Sequence, residues 1–276
     1  MLAPMDFPVG ARITVSSYAF LDWAQLPGFE AAGGILGLRV RLRNTCQRLG
    51  LKGTVLLAPE GINLFVAGHP PDIKNLKKYL SEVVGISGLR YQQGVCGQEP
   101  FNRMLVKLKK EIISMGCPEI EPRKHTAPRL SPAELKEWLE SRRGDFVLLD
   151  TRNDYEVSVG TFETAEHLGL DSFREFPDRL VDFPPEWKEK DIVTFCTGGI
   201  RCEKASALLL TRGYQKVYQL DGGILGYFAE NGAAHYQGDC FVFDWREAVD
   251  GNLTPVERAA ALGLPVHPGR HQISED

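Results

Sequence analysis

The feature that most constrains this chain is an apolar strand that runs directly into a cysteine, two glycines and a helix. Residues 193–204 read VTFCTGGIRCEK, with apolar residues before Cys196 and a helical pattern after it. Gly198 and Gly199 allow the backbone to curl with its N–H groups pointing inward, and a helix that starts near Arg201 adds its positive end. The pattern predicts an anion-binding loop with a sulfur atom at its centre.

A thiol in such a loop should ionise well below the usual cysteine pKa of about 8.5. We therefore expect Cys196 to be a thiolate, and hence a nucleophile, at neutral pH in a pocket open to solvent. A persulfide or a sulfenate on the same sulfur would also be an anion that the loop could hold. The alternative interpretation is a small buried apolar residue at a strand end. The combination of strand, CTGGIR and helix favours the nucleophile.

The spacing between the cysteine and the arginine limits what the loop can bind. Phosphatases with a comparable loop place five residues between Cys and Arg, which leaves room for a tetrahedral phosphate. Here four residues separate Cys196 from Arg201, and Cys202 stands where that arginine would fall. The shorter loop suits a single sulfur or oxygen atom, and Cys202 is either structural filling or a resolving thiol. The predicted active-site loop consists of Thr197, Gly198, Gly199, Ile200 and Arg201.

The length of 276 residues favours two domains. The order β-α-β-β-α-β predicts a ferredoxin-like or acylphosphatase-like domain over residues 1–115, with RMLVKLKKEII as a late strand or helix. A proline-rich linker is predicted over 116–130, followed by a second domain over 131–232 and a C-terminal extension over 233–276. In that extension DCFVFDWREAV is apolar enough to dock on the protein, and the last dozen residues are expected to be loose.

The second domain reads as a parallel sheet covered by helices on both faces. FVLLDTR, DIVTFCTGG and KVYQLDGG are apolar strands, and RCEKASALLLTRG is a helix between the last two. In such sheets ligands bind beyond the carboxyl ends of the strands, where Cys196 lies. Asp150 and Arg152 end a neighbouring strand, either as a buried ion pair that braces the loop or as substrate contacts. Arg201 either points into the pocket or caps nearby carbonyl groups.

Charge is distributed unevenly between the two halves of the chain. Residues 1–125 hold 16 Lys and Arg against 10 Asp and Glu, whereas residues 126–276 hold 16 against 26. A basic surface attracts polyanions such as nucleic acid, which makes the first half the candidate RNA-binding part. The candidate contacts, which are otherwise a solvated basic face, are Arg103, Lys107, Lys109 and Lys110.

Several classes of protein are disfavoured by the sequence. The six cysteines include no C-x-x-C pair, and His125, His167 and His235 lack ligand-like spacing, so we expect no metal site. No apolar run is long enough to cross a bilayer and no secretory signal is visible, so we expect a cytoplasmic protein. No flavin fingerprint appears, and a reaction without a resident cofactor is the default expectation. Glu60 and Gly61 form either a hairpin turn or part of a substrate-positioning element.

Two sets of motifs resemble known families. The stretch LLDTRNDYEVSVGTFETAEHL resembles the D-x-R…E…G…A-x-x-L pattern of the rhodanese homology domain, CTGGIR resembles its active-site loop, and GYQKVYQLDGGILGY resembles its closing strand and turn. The G-H-I signal of that family is absent, because Gly160 is followed by Thr161 and Phe162. Together with APEGINL, KLKKEI and GDCFVFD, these motifs resemble the rhodanese-domain family of bacterial tRNA uridine hydroxylases over nearly the whole chain.

The resemblance implies oxygen-dependent 5-hydroxylation of the wobble uridine of tRNA, with Cys196 as the essential residue and molecular oxygen as co-substrate. The first domain would help to bind tRNA and the second would carry the reaction. The alternative is a sulfurtransferase that passes sulfane sulfur through a Cys196 persulfide, since it would use the same loop. A rhodanese scaffold that only binds a partner is a further alternative, although the presence of Cys196 argues against it.

Overall fold

A computed structural model of the chain describes residues 10–96, 100–142, 144–244 and 246–256. The chain divides into two compact units, one running to Ala127 and including 206–211, the other comprising 128–205 and the residues from Arg212 onward. The division after Ala127 falls inside the predicted linker. The predicted linker contains buried residues and a short strand, since Ile120 and Ala127 are buried and Arg129–Leu130 is a strand.

The first unit is built on one five-stranded sheet. Its strands are β1 (Arg12–Phe20), β2 (Lys52–Ala58), β3 (Gly61–Gly68), β4 (Gln92–Cys96) and β5 (Met104–Leu108). The spatial order is β4-β1-β3-β2-β5, in which only β2 and β5 pair in parallel. Its helices are α1 (Pro27–Ala31), α2 (Gly34–Arg48) and α3 (Pro70–Lys78), the last continued by a π-helical turn at Tyr79–Val84.

Alternating apolar residues explain the hairpin at the centre of this sheet. Val55 and Leu57 on β2 are buried, as is Leu64 on β3, so every second residue faces the core. Glu60 in the connecting turn accepts a hydrogen bond from the backbone N–H of Ile112 at 2.6 Å. Glu60 therefore fixes the segment that follows β5, and the predicted hairpin with its turn at Pro-Glu-Gly is confirmed.

The ferredoxin-like order of elements is confirmed, but the assignment of the fourth strand is wrong. The fourth strand is β4, with the sequence QQGVC, whereas Met104–Leu108 from RMLVKLKKEII forms a fifth strand at the sheet edge. The β4 sequence lacks apolar alternation, so its strand conformation depends on its pairing with β1 at the edge of the sheet. Thr14 and Ser17 on β1 add side-chain hydrogen bonds to the backbone carbonyl groups of Gly94 and Arg90.

The second unit is built on a five-stranded parallel sheet, as predicted. The strands of this unit are β6 (Arg129–Leu130), β7 (Phe146–Asp150), β8 (Gly160–Phe162), β9 (Ala165–His167), β10 (Asp191–Phe195), β11 (Val217–Leu220), β12 (Tyr236–Gly238), β13 (Cys240–Phe241) and β14 (Ala248–Val249). Five of them form the parallel sheet in the order β6-β11-β10-β7-β9, and every neighbouring pair in it is parallel. The helices are α4 (Pro132–Ser141), α5 (Asp154–Val157), α6 (Phe176–Arg179), α7 (Ile200–Thr211) and α8 (Gly223–Asn231), of which α7 begins in this unit and has its residues 206–211 in the first.

Local sequence signals set the start of the second unit. Ser131 accepts a hydrogen bond from the N–H of Glu134, and the Glu134 carboxylate accepts one from the N–H of Ser131. This reciprocal capping box, with Pro132 in the first turn, starts α4. All five residues of β7 are buried, as a parallel strand covered on both faces requires.

The segment from Tyr236 onward packs against the rest of the second unit. β12 pairs with β8, and β13 pairs with β14 in a separate two-stranded sheet. Phe162 on β8 stands at the centre of a ring cluster, with edge-on contacts at centroid distances of 5.0 Å to Phe195, 4.8 Å to Tyr227 and 5.1 Å to Tyr236. The predicted docking of DCFVFDWREAV is confirmed through buried Cys240 and Val242. The last dozen residues lie outside the described part.

No helix in the described ranges combines the length and the apolar character needed to cross a membrane.

Candidate active site

The candidate site forms where β10 ends and α7 begins. β10 ends at Phe195, the loop Cys196–Gly199 follows, and α7 starts at Ile200. Thr151, directly after β7, donates both its N–H and its hydroxyl group to the carbonyl oxygen of Phe195, at 3.0 and 2.9 Å. These bonds tie the carboxyl ends of two neighbouring strands together. Cys196 therefore lies at the edge of the sheet where the parallel pattern predicts a ligand.

Backbone N–H groups converge on the Cys196 sulfur, as the sequence predicts. The N–H of Gly199 donates to Sγ at 3.1 Å, and the N–H of Arg201 in the first turn of α7 donates to the same sulfur. Gly199 has a φ of 96°, a left-handed conformation that turns its N–H toward the sulfur and favours glycine. The Cys202 thiol also donates a hydrogen bond to Cys196.

These contacts decide the protonation of the two neighbouring thiols. Burial alone raises the pKa of Cys196, but the hydrogen bond from Cys202, the positive charge of Arg201 and the two backbone N–H groups together lower that pKa to about 6. Burial, followed by the hydrogen bond and charge of Cys196, raises the pKa of Cys202 well above its usual value. At neutral pH the pair therefore carries one negative charge, on Cys196, and Cys202 keeps its proton.

The expectation of a pocket open to solvent is wrong. Cys196 is 1% exposed and Thr197 is 7% exposed. The loop is enclosed because the start of α8 binds its carbonyl groups on one side, while Thr197 reaches toward the carbonyl oxygen of Phe241 at 3.4 Å on another. The sulfur is thus an ionised group held away from bulk water, and a substrate reaches it only when part of this enclosure moves.

Arg201 does not cap carbonyl groups, because its guanidinium group pairs with a buried carboxylate. Its two terminal nitrogens contact the two oxygens of Glu156 at 2.5 and 2.7 Å, and Glu156 is fully buried. A bidentate pair of this kind fixes the plane of the guanidinium group. Glu156 also accepts from the N–H of Asn153 at 3.2 Å, which completes the capping box of α5. Glu156 stands at the E of the rhodanese-like pattern D-x-R…E…G, but its pairing with Arg201 was not predicted from the sequence.

Asp150 and Arg152 form the buried ion pair that was one of the two interpretations. The Nη2 atom of Arg152 lies 2.7 Å from Oδ2 of Asp150, and neither side chain is exposed. Arg152 also donates to the carbonyl oxygen of Gly160 at 2.7 Å, and the hydroxyl group of Thr161 donates to Asp150 at 2.8 Å. Thr161, which departs from the family's G-H-I signal, thus joins the network that connects β7 to β8. Burial keeps this pair out of contact with any ligand in the present conformation.

The start of α8 holds the cysteine loop in place through backbone hydrogen bonds. The N–H groups of Ile224 and Leu225 donate to the carbonyl oxygens of Cys196 and Thr197, at 3.0 and 3.1 Å. Gly223 has a φ of 63°, and a Cβ atom there would overlap both of those oxygens. The DGG signal after β11 therefore supports the cysteine loop, a role that sequence analysis did not assign.

Aromatic side chains lie at the same loop and were also missed. Tyr155 and Phe241 meet edge-on at a centroid distance of 5.3 Å, and Phe241 meets Phe243 at 5.2 Å. The guanidinium carbon of Arg201 lies 5.8 Å from the centroid of Phe243, and 48% of Phe243 is exposed. The alternation of Cys240 and Val242 inward with Phe241 and Phe243 outward is the signal that could have identified this surface.

The candidate RNA contacts lie along the β5 edge of the first unit. Lys107 is on β5, while Arg103 and Lys109 flank the strand and are exposed, as is Lys110. Partial burial, then the charges of Lys109 and Arg103, lower the pKa of Lys107, so these three cations lie close enough to repel one another. Arg103, Lys107 and Lys109 therefore form a basic cluster along β5, and contact of these residues with RNA stays a prediction.

Within the ranges that the structure describes, no group of three or more His, Cys, Asp or Glu side chains could hold a metal ion. His167 and His235 each approach a single carboxylate, that of Asp154 at 3.8 Å and that of Glu140 at 3.7 Å.

Family comparisons define the class of each unit. Residues 12–112 match the family described as UPF0176 acylphosphatase like domain, and residues 131–230 match the rhodanese-like domain. A solution NMR structure of a rhodanese-like domain from Anabaena shares 25% identity and covers 40% of this chain and 79% of that one, with a TM-score of 0.35.

Curated relatives identify the family of the whole chain. A protein of Cupriavidus metallidurans named tRNA uridine(34) hydroxylase is 48% identical over 88% of this chain and 84% of its own length. A protein of Thiobacillus denitrificans with the same name is 45% identical over 88% of this chain and 96% of its own length. The chain belongs to the tRNA uridine(34) hydroxylase family.

Proposed function

We propose that this protein hydroxylates C5 of the wobble uridine of tRNA, with molecular oxygen as co-substrate and the Cys196 thiolate as the reactive group. The observation that carries this proposal is the convergence of the N–H groups of Gly199 and Arg201 on the Cys196 sulfur in a chain of this family. The family supplies the substrate class, and the loop supplies a nucleophile that is ionised at neutral pH. The reaction takes place in the cytoplasm, where tRNA is available.

The thiolate can act on the base in two ways. Addition of the sulfur to C6 of uracil would make C5 electron-rich enough to react with oxygen, and later loss of the sulfur would restore the ring. Alternatively, oxygen reacts at the sulfur itself, which becomes a sulfenate, or at a persulfide that an external sulfane-sulfur donor has first formed on Cys196. Both routes need an unprotonated Cys196, and neither calls for a resident flavin or metal. Glu156 holds the charged guanidinium group of Arg201 in place, and the positive charge of that group acts on the sulfur.

The base must leave its stack to reach the loop, as RNA-modifying sites generally require. The Tyr155, Phe241 and Phe243 rings offer a surface on which a splayed base could stack, and the exposed half of Phe243 is available before any movement. Because Cys196 is enclosed, the stacked base then displaces the segment around Phe241 to reach the sulfur. The two-residue pairing of β13 with β14 is a weak anchor for that segment.

The basic edge of the first unit supplies affinity for the tRNA backbone. Arg103, Lys107, Lys109 and Lys110 place several cations along one strand edge, and neutralising phosphates releases condensed counterions. This contact is independent of sequence and positions the RNA without selecting a base. On this proposal residues 1–115 serve tRNA binding and residues 131–232 serve the reaction.

The test is to incubate the purified, reduced chain with unmodified tRNA under air and a dithiol reductant, then digest the tRNA and analyse its nucleosides by mass spectrometry. We expect one added oxygen on the wobble uridine, and none with Cys196→Ser. The same preparations are assayed for sulfur transfer from thiosulfate to cyanide. Sulfur transfer that depends on Cys196, together with unmodified uridine, would establish the sulfurtransferase alternative and defeat the proposal.

A further inference from the structure

Hydroxylation by molecular oxygen leaves an electron requirement that the cysteine loop can meet. Oxygen accepts four electrons when both of its atoms are fully reduced, and conversion of the C5–H bond to C5–OH supplies two of them. The other two must come from a second donor. Two thiols supply two electrons when they join as a disulfide.

Cys202 is placed to act as that second thiol. Its N–H donates to the carbonyl oxygen of Gly199 at 3.1 Å in the first turn of α7, and side chains in a helix point back toward its N-terminus. The Cys202 side chain therefore returns to the loop, where its sulfur lies 3.8 Å from the hydroxyl oxygen of Thr151, which binds the carbonyl oxygen of Phe195. There it also donates a hydrogen bond to the Cys196 sulfur. Both residues are buried, at 1% and 0% exposure, so each thiol reacts more readily with its neighbour than with a thiol in solution.

The third cysteine near the loop is arranged differently. The Cys240 thiol is directed to the carbonyl oxygen of Phe241 at 3.5 Å, and burial raises its pKa to about 12. Its thiol hydrogen is therefore directed to the backbone, whereas that of Cys202 is directed to the Cys196 sulfur. Of these two neighbouring thiols, the hydrogen-bonded one, Cys202, is the partner that the geometry favours.

We propose that Cys196 and Cys202 are the immediate electron donors of the hydroxylation and close a disulfide once in each turnover. This inference rests on the proposed function and adds the electron source to it. It also gives Cys202 a chemical role in place of structural filling.

The steps balance in atoms and electrons. In the first step the O–O bond breaks, one oxygen forms the C5–OH group of uridine, and the other converts the Cys196 thiol to a sulfenic acid. In the second step the Cys202 sulfur attacks the Cys196 sulfur, the S–O bond breaks, and the departing hydroxide leaves as water with the proton of Cys202. In the third step an external dithiol reduces the disulfide by thiol–disulfide exchange and is itself oxidised.

A single-turnover experiment tests the proposal on the wild-type chain. The protein is reduced, freed of reductant under anaerobic conditions, and mixed with excess unmodified tRNA in aerated buffer. We expect hydroxylation to stop at about one uridine per chain, with the loss of two free thiols, and to resume when a dithiol is added. Continued hydroxylation without a reductant, or an unchanged thiol content after the burst, would overturn the proposal.

The site of the disulfide can be read directly because Arg201 separates the two cysteines in the sequence. Trypsin cleaves after Arg201 and after Lys204, so the peptide that contains Cys196 stays attached to the short peptide Cys202–Lys204 only through a disulfide. We expect this linked pair to appear after the burst and to disappear on reduction. A disulfide between Cys196 and Cys240 instead would overturn the assignment of Cys202.

The variant Cys202→Ser separates electron donation from hydrogen bonding, because serine keeps a donor beside Cys196. We expect it to hydroxylate up to one uridine, to accumulate a Cys196 sulfenic acid that dimedone traps, and to lose roughly 100-fold or more in steady-state rate with dithiol, because the intramolecular attack is gone. Cys117→Ser, in the first unit, is the matched control and should behave as wild type. Normal turnover by Cys202→Ser would overturn the electron-donor role while leaving the hydroxylase function intact. Unmodified tRNA after incubation with reduced wild type and dithiol would instead defeat the function itself.

Discussion

The hydrogen bond from Cys202 should account for a measurable part of the acidity of Cys196. The change is Cys202→Ala, which removes the donor and leaves the Gly199 and Arg201 N–H groups in place. A hydrogen bond to a charged group contributes about 1.5–3 kcal/mol, and one pKa unit corresponds to about 1.4 kcal/mol. Loss of this bond should therefore raise the pKa of Cys196 from about 6 by roughly one to two units.

The assay follows the ultraviolet absorbance of the thiolate while the folded protein is titrated. Subtraction of the curve for Cys196→Ser isolates the Cys196 signal, and the pKa of Cys46 is raised to about 12 by burial, so it does not ionise in the range measured. Cys202→Ser is the matched control, because its hydroxyl group still donates and its midpoint should move less than that of Cys202→Ala.

Two results would refute this account of the acidity. If Cys202→Ala titrates at the wild-type midpoint, the hydrogen bond does not lower the pKa, and the charge of Arg201 with the backbone N–H groups suffices. If the serine and alanine variants shift equally, altered packing around Cys196 and not the lost donor is the cause.

Three further predictions follow from the same contacts. Because the reactive form of Cys196 is the deprotonated one, the hydroxylation rate should rise with pH through a midpoint near 6, and a rate that is flat through this range would contradict a thiolate mechanism. Asp150→Asn leaves the charge of Arg152 buried without its partner, so the free energy of unfolding in urea should fall by about 3–5 kcal/mol; a loss below about 1 kcal/mol would contradict a buried pair. Lys107→Gln should weaken tRNA binding and reduce the slope of log Kd against log salt concentration by roughly one, whereas Lys78→Gln, at an exposed residue that pairs with Glu82, should change neither.

Local sequence signals predicted the helices and strands wherever apolar residues follow a regular pattern or a helix-capping motif is present. The Ser131 capping box and the apolar strands of the parallel sheet needed no tertiary information, because each depends on neighbouring residues in the sequence. The strand β4 could not be predicted in this way, since QQGVC owes its conformation to pairing with β1, which is distant in the sequence. The same holds for β6, which lies in the proline-rich segment and is extended because it pairs with β11.

The candidate site was predictable only in part for the same reason. CTGGIR predicted the convergence of N–H groups on Cys196, because that convergence is local to the loop. The enclosure of the sulfur depends on the α8 start and on Phe241, which come from separate parts of the chain. The partner of Arg201, which is Glu156, lies 45 residues away along the chain, so only the fold could identify it.

The central claim is that the Cys196 thiolate carries an oxygen-dependent hydroxylation of tRNA, and labelled oxygen tests it most directly. Reduced protein, unmodified tRNA and a dithiol are incubated under dioxygen labelled with oxygen-18, and the wobble nucleoside is analysed by mass spectrometry. The account predicts one labelled oxygen atom on the wobble uridine with the wild-type chain and none with Cys196→Ser. An oxygen that derives from water, or full labelling by Cys196→Ser, would contradict it.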